Sequence, residues 1–171
     1  MTTAPEFVIE SLGAHDRSGF TCGVAALDRY FRQQAGQDHR RRAAIVFVAI
    51  DPTANDAVVG FYTLSAAQIL ARDLPEQLVR KLPRYPELPA ILLGRLAVDQ
   101  RWQGRQLGRL LITDALLRCA RLDQIGALFL LVDAIDQNAE QYYLRLGFRA
   151  LPDQPSRLYF PLDDLRRSQR T

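Results

Sequence analysis

Lysine is almost absent from this chain. Lys81 is the only one, so every other cation among the 22 Lys and Arg residues is an arginine, whose planar fork suits phosphate better than an ammonium does. The net charge of +3 is too small to name a partner by itself. Cysteine and histidine are scarce too, at 2 of each. Cys22 and Cys119 lie far apart with no Cys-x-x-Cys, and only His15 and His39 could join them. That excludes a disulfide framework and a zinc centre, so no metal site is expected and both cysteines read as buried structural thiols. Long apolar runs are missing: residues 45–50, and 127–134 with Asp133 interrupting, fall short of the roughly 18 residues that cross a bilayer. No basic and then apolar leader opens residues 1–7, so the expectation is a cytoplasmic protein with no membrane partner.

What is present has the composition of a folded domain: 171 residues, 48% hydrophobic and 24% charged, with no repeat or low-complexity tract. A single domain over residues 1–171 is expected. Its arginines gather between residues 28 and 42, including Arg40, Arg41 and Arg42, and again around Arg80, Lys81 and Arg84. Both clusters are candidate phosphate-contacting surfaces, although solvated helix faces carry arginine as well.

Apolar periodicity gives the elements. Residues 6–12 read as a strand. Val24, Leu27, Tyr30, Phe31 and Ala35 recur at helical spacing, so 24–40 reads as one amphipathic helix. Residues 43–50 and 58–65 form a hairpin about a turn at 51–56, 76–82 a short helix, and 82–89 a proline-rich connection. A strand over 91–99 leads to a helix from just past Gly104 to about residue 123, with Leu107, Leu110, Leu111, Ala115, Leu116 and Cys119 on one face. A strand at 127–133, a helix at 137–146 and two strands within 148–162 about a turn at 152–155 complete the pattern. Strands first, then strands alternating with helices, predict an α+β fold: a mixed sheet flanked by helices on both faces, in three layers.

One junction is chemically informative. The strand ending at Val98 and Asp99 runs into Gln100-Arg101-Trp102-Gln103-Gly104-Arg105-Gln106-Leu107-Gly108-Arg109 and then directly into a helix. The first turn of a helix leaves about four N–H groups unpaired at the positive end of its dipole, which a diphosphate can satisfy. Gly104 would let the backbone approach, and Arg105 and Arg109 add charge. A tight turn whose glycines serve geometry alone reads the same way. The segment fits neither a Walker loop nor a dinucleotide fingerprint.

At these residues the sequence resembles the GNAT acetyltransferases, whose acetyl-coenzyme A loop reads Arg/Gln-x-x-Gly-x-Gly/Ala: Arg101, Gly104 and Gln106 hold the three places and Gly108 follows. Gln106 departs from Gly or Ala, and fits if its φ stays negative. Residues 136–148, ending Tyr143-Leu144-Arg145-Leu146-Gly147-Phe148, resemble the late family segment that closes in Tyr, three residues, Gly-Phe. Phe20-x-Cys22-Gly23, Leu27-Asp28-x-Tyr30-Phe31, Ala35-x-x-Asp38, residues 60–65, Leu82-Pro83-Arg84-Tyr85-Pro86 and residues 92–99 narrow the resemblance to the GNAT toxins of type II toxin–antitoxin modules. The resemblance implies a mostly antiparallel GNAT sheet and acetyl transfer from acetyl-coenzyme A to the α-amino group of aminoacyl-tRNA, which stops translation. It also implies a ribbon-helix-helix antitoxin, operator DNA reached through that antitoxin, and a homodimer.

It places acetyl-coenzyme A on Gln103, Gly104, Arg105, Gln106, Leu107, Gly108 and Arg109, with the thioester carbonyl held by main-chain N–H groups of Leu96, Ala97 and Val98. Tyr143 matches the family's general acid. A phenol near ~10 can donate to a thiolate near ~8.5 as charge develops on sulfur. Tyr142 faces about 100° away on a helix and reads as packing or cofactor contact. Residues 92–98 carry no carboxylate to act as base, and Asp99 reads as a capping residue. An α-amino group near 7.7 to 8.0 is already partly neutral where a lysine near ~10.4 is not, which favours an aminoacyl ester as acceptor. Arg40, Arg41, Arg42, Arg84 and Arg95 are then candidate tRNA contacts, with an acidic antitoxin as competitor for the first three. A small amine or a protein N-terminus is the alternative acceptor. A coenzyme A-binding or DNA-corepressor protein without turnover is the non-enzymatic reading, against which Tyr143 argues.

Overall fold

The computed structural model describes residues 6–170; residues 1–5, most of the stretch read for a leader, lie outside the described residues. Seven strands make one mixed sheet in the order β1-β2-β3-β4-β5-β7-β6. They are β1 (Val8–Ser11), β2 (Ile45–Asp51), β3 (Ala57–Leu70), β4 (Glu87–Val98), β5 (Phe129–Asp133), β6 (Arg149–Leu151) and β7 (Gln154–Pro161). β4 and β5 run parallel, whereas β1–β2, β2–β3, β5–β7 and β6–β7 are antiparallel. This is the mixed, mostly antiparallel α+β sheet that the sequence predicts. Among the described residues six α-helices accompany it: α1 (Ala25–Gln33), α2 (Ala35–Arg41), α3 (Glu76–Val79), α4 (Leu107–Ala120), α5 (Gln137–Arg145) and α6 (Leu162–Ser168). The chain divides into two compact units, Met1–Ser65 with Gly94–Ala115, and Ala66–Leu93 with Leu116–Thr171.

The first unit is built on aromatic rings. Phe31 lies flat on Phe61, centroids 4.1 Å apart, and Phe20 meets both edge-on at 4.7 and 5.7 Å. Tyr30, Val46, Val48 and Ala97 complete this core. Each such ring pair contributes about 0.5–1.5 kcal/mol beyond its buried area. Gly60 on β3 lets α4 approach, since a Cβ there would stand 3.0 Å from Leu111 Cδ1 and 3.1 Å from the Ala97 carbonyl oxygen. The single helix expected over residues 24–40 is two, α1 and α2, broken at Gln34. The reason lies outside the helix: Arg17 Nη1 donates to the Phe31 carbonyl at 2.7 Å, occupying the acceptor that a continuing helix would offer to the Ala35 amide. Val24, read as part of the apolar face, is exposed ahead of α1.

The second unit packs Leu88, Ala90, Phe129, Leu131, Leu151 and Tyr159 together. β5 is buried from Phe129 to Val132, as its uninterrupted apolar run requires of a strand covered on both faces. The proline-rich connection is shorter than expected because β4 begins at Glu87; Pro89 cannot donate, but its carbonyl accepts from the Leu128 amide at 2.9 Å. β3 likewise runs on to Leu70, beyond the expected end at residue 65. Helix α6 has no counterpart in the sequence reading; Arg166 on it fastens to the carbonyls of Ala120 and Ala127 at 3.1 and 3.0 Å.

Candidate active site

The turn before α4 is held from beneath by one carboxylate. Asp99 is fully buried, and its two oxygens accept from the Thr21 amide (3.2 Å), the Arg101 amide (3.0 Å), Arg101 Nε (3.1 Å) and Arg101 Nη2 (3.2 Å). Burial alone would raise its pKa, but these donors and the Arg101 charge outweigh burial and hold the carboxyl below its ordinary value. Asp99 is thus a structural cap, as read from the sequence, and is saturated with donors. Around it, buried Trp102 donates Nε1–H to Asp51 at 3.2 Å, and Gln103 Nε2 bridges the carbonyls of Val98 and Cys22 at 2.9 and 3.0 Å. Asp51, Thr21 and Gln103 were not singled out as a scaffold in the sequence, because what joins them is contact between distant segments.

Gly104 stands at φ +81° with open space where a Cβ would point. The requirement for glycine is therefore backbone conformation, not room. Gln106 also lies in the left-handed region, at φ 58°, so the condition of a negative φ for a side chain there is not met. A non-glycine residue pays roughly 1–2 kcal/mol in that conformation. Two left-handed residues two apart turn the chain sharply into α4, whose 14 residues begin at Leu107. The free amides of its first turn and exposed Arg105 and Arg109 suit a diphosphate. Leu107 is buried and holds the helix start to the core, while Leu110, expected on the buried face, is 40% exposed.

Strand β4 contributes main-chain donors next to this turn. The Arg95 amide donates to Thr63 Oγ1 at 3.0 Å and the Asp99 amide to the Val59 carbonyl at 2.8 Å, so both point toward β3. Alternation along a strand sends the Ala97 peptide the same way and turns the amides of Leu96 and Val98 to the opposite edge. Of the three expected oxyanion donors, the amides of Leu96 and Val98 turn away from β3, and Ala97 is a core residue.

Tyr143 lies in the second unit, on α5. Asp136 caps that helix by accepting from the Ala139 amide at 2.8 Å. The helix ends at Gly147, φ +101°, where the Gly147 amide donates to the Leu144 carbonyl at 3.1 Å. Burial, then the neighbouring Tyr142 phenol, pushes the Tyr143 pKa up to about 12. Its hydroxyl is a proton-bearing donor throughout the physiological range. Tyr142 meets it edge-on at 6.0 Å.

The candidate phosphate contacts are dispersed. Arg40 and Arg41 end α2, Arg42 caps it at φ 59°, and all three are exposed. Arg95 is exposed on β4 within the same unit, whereas exposed Arg84 belongs to the other. Cys119 is buried as expected, but Cys22 is only partly so.

Comparison with known proteins shows what the chain is similar to. The family model for the acetyltransferase (GNAT) domain matches residues 42–150. A tRNA-acetylating toxin of Mycobacterium tuberculosis is 37% identical over 155 residues, 90% of each chain. A probable toxin TacT of Sinorhizobium fredii is 32% identical over 175 residues, 96% of each. Among solved structures, AtaT complexed with acetyl-methionyl-tRNAfMet superimposes with a TM-score of 0.87 at 27% identity, covering 96% of this chain and 99% of that one. The AtaT toxin bound to the C-terminus of the antitoxin AtaR gives 0.78 at 25% identity, covering 95% and 97%.

Proposed function

The chain belongs to the GNAT acetyltransferase family, and from that premise we propose that it is a toxin of a type II toxin–antitoxin module that acetylates the α-amino group of aminoacyl-tRNA. The observation that carries this reading is the match, over nearly the full length of both chains, to AtaT in complex with acetyl-methionyl-tRNAfMet. The curated relatives, a tRNA-acetylating toxin and a probable toxin, support it.

The residues fit acetyl-coenzyme A, which supplies an activated acetyl group as a thioester. Residues Gln103 to Arg109 bind its diphosphate through the amides of the first turn of α4 and the charges of Arg105 and Arg109. The amides of Leu96 and Val98 stabilise negative charge on the carbonyl oxygen. Tyr143, protonated at any working pH, donates a hydrogen bond to the sulfur as the bond to it breaks. Its phenol is a weaker acid than a thiol, so the stabilisation lies in donation while charge develops, with the proton released by the new amide nitrogen settling the balance. An acceptor already partly neutral near pH 7 asks for no base from residues 92–98.

The single-domain organisation over residues 1–171, tRNA contact by Arg40, Arg41, Arg42, Arg84 and Arg95, a cytoplasmic setting and a homodimer belong to the same proposal. So do a ribbon-helix-helix antitoxin and operator DNA reached through it; the AtaT–AtaR complex supports a toxin–antitoxin pair. Among the described residues no helix is long and apolar enough to cross a membrane. Incubation with labelled acetyl-coenzyme A and a total pool of charged tRNA tests the reading. Label on aminoacyl-tRNA is expected; label on peptides or polyamines, with aminoacyl-tRNA untouched, would overturn it in favour of a small amine or protein N-terminus.

A further inference from the structure

Arg95 is a candidate phosphate contact whose side chain is held in place. Its guanidinium carbon lies 3.7 Å from the centroid of the Tyr30 ring, a cation–π contact. The backbone beneath is fixed as well, since the Arg95 amide donates to Thr63 Oγ1 at 3.0 Å. Tyr30 is itself immobilised. It is buried, it lies 6.3 Å from Phe61 with the rings 27° from parallel, and its hydroxyl donates to Asp38 Oδ2 at 2.9 Å. Gln34 Nε2 holds the other oxygen of Asp38 at 2.9 Å.

A guanidinium over a ring has one face covered, and the Tyr30 hydroxyl and the Asp38 carboxylate beside it hold part of its fork. The remaining N–H donors of exposed Arg95 can take the oxygens of a phosphate. We propose that Tyr30 and Asp38 are positioning residues that hold the Arg95 fork in place to receive a phosphodiester of the acceptor RNA, an assignment that rests on the aminoacyl-tRNA reading. The occupant is taken to be the RNA for two reasons. The diphosphate of the cosubstrate already has the amides of α4, and Asp38 lies on the same short helix as exposed Arg40 and Arg41, so the clamp continues into a basic track.

The test uses the full chain with Arg95→Gln, Arg95→Lys, Tyr30→Phe and Tyr30→Leu, each checked for a wild-type melting transition. Arg95→Gln is expected to raise KM for aminoacyl-tRNA about tenfold and to lower the salt slope of tRNA binding by about one, with KM for acetyl-coenzyme A changed less than about twofold. Arg95→Lys keeps the charge without the fork and is expected to recover only part of the loss. Tyr30→Leu should reproduce the Arg95→Gln effect and add nothing to it in the double variant, because a clamp and the group it holds act as one unit. Tyr30→Phe keeps the ring and should fall between.

An unchanged KM for tRNA, additive losses, or a rise in KM for acetyl-coenzyme A instead would each overturn the clamp. Should the Tyr30 variants fail to fold, the exposed Arg95 variants decide the matter alone. Should wild type not acetylate aminoacyl-tRNA, the functional reading falls. Binding of deacylated tRNA to wild type and Arg95→Gln then decides the clamp separately: it stands if the variant binds about tenfold more weakly and falls if the two bind equally.

Discussion

The main-chain carbonyl of Tyr143 accepts a hydrogen bond from the Phe148 amide at 3.1 Å, and the two rings meet edge-on at 5.4 Å. Counting back from the C-cap Leu146, these are positions C3 and C″ of a Schellman turn, whose pattern consists of this bond and the Gly147-to-Leu144 bond and is often accompanied by an apolar contact between the same two residues. The spacing Tyr, three residues, Gly-Phe is thus a helix-stop signal in which the proposed acid is also a structural member. Phe148 is pinned in turn by Phe160, edge-on at 5.4 Å.

Removing the hydroxyl alone should spare this turn. Tyr143→Phe is expected to lower kcat by about 10² to 10⁴ while leaving the melting temperature and acetyl-coenzyme A affinity close to wild type. Steady-state kinetics beside calorimetric binding checks it. Full acetylation and full growth arrest by the variant would remove Tyr143 from the chemistry.

The same phenol sets the alkaline side of the pH profile. With its pKa pushed up to about 12 by burial, Tyr143 stays protonated, and so able to donate, at every pH below that value. Activity on aminoacyl-tRNA should therefore rise as the acceptor amine loses its proton, near or below about 7.7 to 8.0, and then stay level to about pH 10. A fall in kcat between pH 8 and 10, with the protein still folded, would contradict the tyrosine assignment.

Gly147→Ala strikes the turn instead of the hydroxyl. Its φ of +101° strains any side chain, and the new Cβ would stand 3.2 Å from the Phe160 ring. Destabilisation of about 1–3 kcal/mol is expected, together with a loss of kcat as Tyr143 shifts with the end of α5. Denaturant melts and kinetics on one preparation read both effects; wild-type values in each would show that the turn does not position the tyrosine.

Local signals were legible in the sequence, and distant ones were not. The strand, turn and helix at Val98 to Arg109 could be read because glycine, arginine and the onset of helical periodicity stand side by side along the chain. Asp99 could be read as a cap for the same reason. The break at Gln34 could not, because its cause is Arg17 reaching the Phe31 carbonyl from outside the helix. The stack of Arg95 on Tyr30 was hidden likewise, since it joins β4 to α1. The φ of Gln106 was not legible either, because the family loop implies amide contacts without saying that two left-handed residues make the bend.

That bend yields a stabilising substitution. Gln106→Gly removes the strain of a side chain at φ 58°, partly offset by the greater freedom of glycine in the unfolded chain. A net gain of about 0.5 kcal/mol is expected, raising the melting temperature by roughly 1–2 °C for a chain of this size. Acetyl-coenzyme A affinity should change less than about twofold if backbone amides bind the diphosphate. A tenfold loss would mean that the Gln106 side chain is itself a ligand.

Asp99 sets the acid limit of the turn. Its folded pKa lies below the ordinary carboxylate value, so the stability it contributes is fully present above the unfolded value near ~3.9 and is lost as pH falls through the folded value. Asp99→Asn replaces two acceptor oxygens with one and aims an N–H₂ at donors from Thr21 and Arg101. Destabilisation of about 1–3 kcal/mol at pH 7 is expected, together with weaker acetyl-coenzyme A binding as the turn loosens. Between pH 5 and 3 the variant should lose less further stability than wild type does, because the group whose titration is linked to folding is gone. Parallel slopes of stability against pH over that range would show that the Asp99 carboxylate does not carry the linkage, and that the turn is held by its neighbours instead.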